Sequence, residues 1–495
     1  MGRLGVASVL AVACNGGGGG AAGETSSAST SGSASDSTSG SASGSSSAAS
    51  SETTSVADSS STGDAPIYDV GGVLDLGTSD CTSCSSDMHT VIDCMGNPLV
   101  TCGDDEACDL TTGGCSAACV AASHNASAVG CEYWATKMDH SSTYDALGVC
   151  LAAFVANTWT SPVTIEVEYD GMMLPVEDFT RVPQGEGPGL TLEPYDAAVG
   201  LPPGEVAIIF LSGPTGAQEY GKEPCPIAPA IAPEVMVPGT AIGRSFRIAT
   251  DVPVVAYQMN PYGAGAGGAV AGASLLLPTS TWDTNYVAAN AYQADLSGEW
   301  PSMNIIATED DTTVTMLPVA NVEGGGGVPS GAAGVALDIV LQRGEHAQLT
   351  QEAELTGSVL QSDKPIGLMA GHNALRVPVG VSYADHAEQM IPPVRALGSE
   401  YVGVMHLPRG GEPAVWRLVG AVDGTTLDWS SDVGGPATLE RGQIAELVTG
   451  EPFVVASQDE EHPFMLFTYM SGSQWSMIGG AGVGAGDADF VLGIP

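Results

Sequence analysis

Phe246–Tyr257 (FRIATDVPVVAY), Val359–Met369 (VLQSDKPIGLM) and Phe453–Phe467 (FVVASQDEEHPFMLF) repeat one pattern: a short apolar strand, an acidic turn, a proline and a second apolar strand. Pro253, Pro365 and Pro463 are its landmarks. Copies at a regular spacing each correspond to one structural unit, so they define the architecture. Upstream of each landmark lies a glycine turn entering a strand, at Leu201–Glu205 (LPPGE), Leu341–Glu345 (LQRGE) and Leu439–Gln443 (LERGQ). Further upstream lies an alternating strand, at Pro162–Glu168, Asp311–Met316 and Gly424–Trp429. Leu276-Leu277-Pro278 followed by Tyr286-Val287 matches Ile391-Pro392-Pro393 followed by Tyr401-Val402, with Pro278 and Pro393 115 residues apart. One unit is therefore roughly 100–115 residues, the size of a single β-domain.

Alternation with β-branched residues, turn clusters about every ten residues and no sustained 3.6-residue apolar period argue for strands. The 66 glycines and 31 prolines supply turns and oppose long helices. The expected fold is all-β: tandem antiparallel β-sandwich-like repeats, preceded by a small disulfide-rich module and a disordered Ser/Gly tether. A propeller with long blades is the other closure open to three such units. The expected units are about 132–274, 275–388 and 389–486, with the start of another at 487–495, as if the chain stopped where a further unit begins.

The first residues read as a bacterial lipoprotein signal over 1–14. Arg3 precedes an apolar run from Leu4 to Ala13, and Cys14 follows as the residue to be lipidated. Cys14→Ser is expected to release the protein to the soluble fraction. From 15 to 66 the chain is almost all Ser, Gly, Thr and Ala, which cannot bury enough apolar surface to order itself. At about 5–6 Å times the square root of its length, this tether would hold the folded part on the order of 40 Å from its anchor.

Formal charge is −44, and residues 67–495 keep −40 of it. Without a basic face, nucleic acid is excluded as a partner, and any membrane association runs through the lipid anchor alone. Ten cysteines besides Cys14 (Cys81, Cys84, Cys94, Cys102, Cys108, Cys115, Cys119, Cys131, Cys150 and Cys225) read in an exported chain as about five disulfides, most of them stapling a module at 67–131. Zinc is the competing reading, because Cys81 and Cys84 have ligand spacing and Cys115 and Cys119 a looser one. On the disulfide reading, reduction should expose residues 78–131 to protease and leave the cysteine-free segment from about 232 onward resistant.

Other chemistry is sparse. Asp385-His386-Ala387-Glu388-Gln389 could ligate a metal or act as acid and base, against a structural, hydrogen-bonded reading. Gly263–Gly268 matches a dinucleotide-binding pattern by letter, but Pro278 follows where a helix is needed. Asp310-Asp311 and Asp487-Ala-Asp489 lack the spaced oxygens of a calcium loop, and Asn125-Ala-Ser127 is a glycosylation sequon by letter. No cofactor is expected.

Gly130–Trp134 (GCEYW), Phe246–Asn260, Leu275–Pro278 and Asp385–Gln389 with Pro392-Pro393, in that order, resemble the N-terminal domain of the IgGFc-binding protein family. The resemblance spans about residues 130–495. It implies an extracellular, non-enzymatic recognition or adhesion role, without assigning an Fc-contacting residue. The expected function is that of a bacterial cell-surface lipoprotein, anchored at the outer membrane, whose β-repeats bind an extracellular protein or glycan. The alternatives are a passive matrix protein with self-associating repeats, and a secreted hydrolase. An exposed patch containing Trp282, Trp300 or Trp475 would favour the binder, and a pocket lined by His386 and carboxylates the enzyme.

Overall fold

The computed structural model describes residues 82–494, apart from 141–148, 217–223, 233, 264–271, 382, 408–411, 413 and 477–487. Cys14, the tether, Cys81, Asp487 and most of the Gly263–Gly268 loop therefore lie outside the described residues. Strands dominate, and no described helix is long and apolar enough to cross a membrane.

Seven strands recur three times in one order. An opening strand (Gly130–Ala135, Asp283–Val287, Glu400–Gly403) is followed by a second (Leu151–Ala156, Pro301–Ala307, Ala414–Gly420) and an alternating third (Ile165–Tyr169, Thr312–Leu317, Thr425–Trp429). A fourth (Met172–Met173, Leu337–Leu341, Thr438–Leu439) and a fifth (Val206–Ser212, Glu345–Thr350, Ile444–Thr449) lead to the landmark strand. That sixth strand is Phe246–Asn260 in the first unit and Val359–Leu375 in the second, and Phe453–Ser457 plus Phe464–Met470 in the third. A closing strand ends each set, at Gly272–Leu276, Asp385–Ile391 and Asp489–Leu492.

The landmark strand belongs to two sheets. Its first half pairs with the opening and third strands, and its second half with the second and closing strands, always antiparallel. The fifth strand extends the second sheet beside the second strand. Each unit is therefore a two-layer sandwich, the packing expected for alternating strands, rather than a propeller blade. The proline stands where the chain leaves one ladder for the other, which suits a residue with no N–H to donate. In the third unit the longer turn Gln458–Pro463 splits the strand, so its two sheets separate completely.

Two further bonds recur with the landmark. The opening-strand tyrosine donates its hydroxyl to the carbonyl just after the proline: Tyr133 to Val254 O (2.6 Å), Tyr286 to Ile366 O (2.6 Å) and Tyr401 to Phe464 O (2.7 Å). The turn side chain accepts a backbone N–H from the third strand or the residue before it: Asp251 from Thr164, Asp363 from Thr313 and Gln458 from Thr426.

One expectation is corrected by the pairing. Asp489–Leu492, read as the start of another unit, bonds to Phe467–Met470 and is the closing strand of the third set. The strands at Gly272–Leu276 and Asp385–Ile391 likewise complete the sheet before them.

The cysteine-rich head contains two small sheets and the helix Ala118–Asn125, around a core of little more than Val91 and cystine sulfur. Its disulfides are Cys84–Cys108 and Cys102–Cys115, and Cys119–Cys131 ties the helix to the first opening strand. Cys150–Cys225 staples the first unit itself, and Cys94 is also disulfide-bonded. Cys84, Cys115 and Cys119 are thus oxidised and cannot serve as zinc thiolates. The helix buries Ala118 and Ala121 in the first unit's core, and Trp159 donates its Nε1–H to Asp104 O (2.8 Å). Cores also cross between units: one runs from Ile305 and Leu360 to Val415 and Phe467, another from Leu151 and Ile248 to Met369 and Met390.

Candidate functional site

The three closing strands end sheets and converge on one another. The second is fastened to the first, with Met390 N–H donating to Ser274 Oγ (2.8 Å) and Gln389 Nε2–H to Ala273 O (3.1 Å). The third packs on the second. Where they meet lies a groove of about 180 Å³ lined by Leu275, Leu277, Gln389, Met390, Leu397, Tyr401 and the run Val491–Ile494. Its walls are almost wholly apolar, and Val491 and Ile494 leave it open to solvent. Each strand enters for the same local reason: as an edge of a sandwich sheet it has one flank unpaired, and apolar side chains cover that flank.

Alternation splits the Asp385–Gln389 motif between two environments. Gln389 faces the groove, whereas His386 and Glu388 are fully buried against the first unit. Asp385 Oδ1 accepts the His386 N–H (2.8 Å). The His386 ring stacks on His140, centroids 4.0 Å apart and planes 12° from parallel. Gly272 is required beside it, because a Cβ there would come within 2.8 Å of His386 Nδ1. Gln258 joins the pieces: its Oε1 accepts the Thr136 N–H (2.9 Å), and its Nε2 donates to Thr136 O (2.9 Å) and Glu388 Oε2 (2.7 Å).

Burial governs the electrostatics. It holds the His386 imidazole well below the usual range, and His140, His346 and His372 are pushed down to about 3. Burial also raises Glu388 well above the carboxylate range and Asp139 and Asp489 to about 6. Among the described residues, Glu388 Oε1 and both His386 ring nitrogens find no partner at hydrogen-bonding geometry. The hydrogen-bonded turn expected for the motif is therefore a strand whose ring is held by stacking. Asp139, His140 and Gln258 were not signalled by the sequence, since 246 residues separate the two stacked histidines.

The motif does not line the groove with carboxylates. Among the described residues no group of three His, Cys, Asp or Glu is placed to hold a metal ion. Asp310 accepts the Arg343 N–H and Asp311 accepts from Gln342, so that acidic pair shapes a turn. Asn125 bonds Leu110 N–H and Cys108 O inside the head. The tryptophan patch is also corrected. Trp282 is buried, its Nε1–H donating to Leu277 O, and Trp300 and Trp475 are partly buried. Apart from Tyr383, the exposed large apolar residues are aliphatic or Met and occur in the head and all three units, with Val402, Val404, Leu407, Val491 and Ile494 in the third.

Residues 272–495 match the model of the family described as IgGFc binding protein, the family the sequence resembles. No curated protein and no solved structure matches the chain. The match begins at the first closing strand and covers the second and third units.

Proposed function

We propose, from the match of residues 272–495 to the IgGFc binding protein family, that this chain is a recognition protein that binds an extracellular protein through the groove between its closing strands. The observation that carries the reading is the apolar groove itself. At about 180 Å³ it is smaller than the roughly 300–1,000 Å³ of small-molecule pockets and suits one or two aliphatic anchor side chains of a protein partner. A glycan would call for aromatic faces and several polar groups, and the wall offers Gln389 as its one amide. Display at the bacterial cell surface would follow from lipidation at Cys14 and the tether at 15–66, with no enzymatic step and no cofactor. Disulfides suit that oxidising environment.

The test is an array of extracellular proteins and glycans probed with the protein and with Leu275→Arg, which places a cation in the groove wall. Binding to a protein that falls at least tenfold in the variant, at unchanged folding, is expected. Binding to glycans alone, or binding indifferent to Leu275→Arg, would overturn the reading. Fractionation of Cys14→Ser cells tests the anchor separately.

A further inference from the structure

Within this chain each unit is covered by the next in the same way. The glycine turn before the fifth strand of the following unit lies against the residues just before the landmark strand of the preceding one, and at the first junction also on its opening strand. Between the first and second units, Gly344 O accepts the Ser245 N–H (2.8 Å) and a Cβ on Gly344 would come within 3.3 Å of the Trp134 ring. Arg343 lies over that ring at 5.5 Å and bonds Glu168 of the first unit (Nη2 to Oε2, 3.0 Å). Between the second and third units Gly442 meets Gly357 so closely that a Cβ on either would collide with the other's backbone.

The third unit carries the same face uncovered. The residue after the opening tyrosine is 2% exposed at Trp134 and 3% at Val287, but 65% at Val402. Two positions on, Thr136 and Ala289 are fully buried, whereas Val404 is 64% exposed. The residue before the landmark strand repeats the contrast, Ser245 and Ser358 being buried and Pro452 exposed.

The complementary part is also free. The first unit has the same turn at Pro202–Glu205, with Gly204 at φ +80° beside +79° at Gly344 and +74° at Gly442. All three close with the glycine N–H on the end of the second strand or the residue after it: Gly204 to Asn157 O, Gly344 to Ala307 O and Gly442 to Gly420 O. Pro202, Pro203 and Gly204 are exposed, and among the described residues nothing lies within 4 Å of a Cβ built on Gly204. The chemistry changes in step: where Arg343 covers Trp134, the free turn offers Pro203 to Val402, an apolar residue to an apolar strand.

We propose that the uncovered opening strand of the third unit, with Val402 and Val404, docks the Pro202–Glu205 turn of a second copy of this chain, so that copies join head to tail. This goes beyond the groove-binding reading and uses neither the groove wall nor another protein. Such a contact is heterologous, so it extends into chains or closes into rings rather than stopping at a symmetric pair. With a net charge of −44 the association requires screening, and about 0.15 M salt shortens the Debye length to about 8 Å.

The experiment is sedimentation of the disulfide-intact protein over a concentration series at that salt. Concentration-dependent assembly is expected, weakened at least tenfold both by Val402→Lys/Val404→Lys and by Pro203→Glu, two surface changes at opposite ends that leave the thermal midpoint in place. Single-cysteine variants Val402→Cys and Pro203→Cys, mixed under mild oxidation, should form a mixed disulfide dimer. A monomer at every concentration would overturn the proposal, and so would Val402→Cys pairing with itself in preference to Pro203→Cys, which would mean a symmetric face-to-face contact.

Discussion

Three tyrosines and one carboxyl group set the finest level at which this protein can be tested. Each opening tyrosine is buried and gives its hydroxyl to the carbonyl that follows a landmark proline. Tyr286→Phe leaves the Ile366 carbonyl without that donor in a dry core, so it should cost about 1–3 kcal/mol in denaturant unfolding. Glu388 makes a pH prediction. Its folded-state affinity for a proton is raised above the ordinary 4.5, so its contribution is complete below that value and is lost as pH rises through the higher folded value. Glu388→Gln keeps the shape without the ionisation. It should raise the thermal midpoint at pH 8 and leave it nearly unchanged at pH 4, and equal effects at both would show that Glu388 ionises freely. The buried histidines act in the opposite sense. Held near 3 against an ordinary 6.5, His140, His346 and His372 lose stability to the unfolded state as pH falls between those values.

Among the elements, the disulfides divide the labour unequally. Cys102–Cys115 and Cys119–Cys131 close loops of 13 and 12 residues, whereas Cys150–Cys225 spans 75. On the chain-entropy account the short loops contribute about 3 kcal/mol each and the long one about 4. Because the head helix shares the first unit's core and Cys150–Cys225 lies in that unit, reduction should loosen residues 82–276 together, not the head alone. Limited proteolysis with and without reductant checks this, and persistence of an intact first unit after the head is digested would contradict it. The landmark strands were legible as apolar–acid–proline–apolar runs because each half obeys its own alternation. The strand that closes each sheet was misassigned because a β-strand's residues state which faces are apolar, not which neighbour it pairs with.

At the scale of the molecule the units are not beads. Arg417 of the third unit donates from its two terminal guanidinium nitrogens, Nη1 and Nη2, to Glu354 of the second (2.9 and 3.0 Å) and lies 4.8 Å from the Tyr292 ring, nearly buried. Removing it as Arg417→Ala would leave Glu354 partly buried without its cation and should cost about 3–5 kcal/mol. A core continuous from Leu360 to Phe467 couples the two units further. Calorimetry should therefore show them unfolding in one transition, with Arg417→Ala lowering it as a whole. Two separated transitions would mean that the junction contributes little, contrary to nearest-neighbour coupling in stacked repeats.

By itself the sequence determined the all-β class, the three copies, their landmark prolines and the oxidised cysteine set, because these follow from local period, turn chemistry and composition. It also placed Gln389 and His386 in one short motif. Only the tertiary structure decided that one faces a groove and the other stacks on His140, that the three closing strands meet, and that Val402 is bare where Trp134 and Val287 are covered. Those outcomes depend on contacts between residues 100 or more positions apart, and burial by a neighbouring unit leaves no mark on the local pattern of the strand it covers.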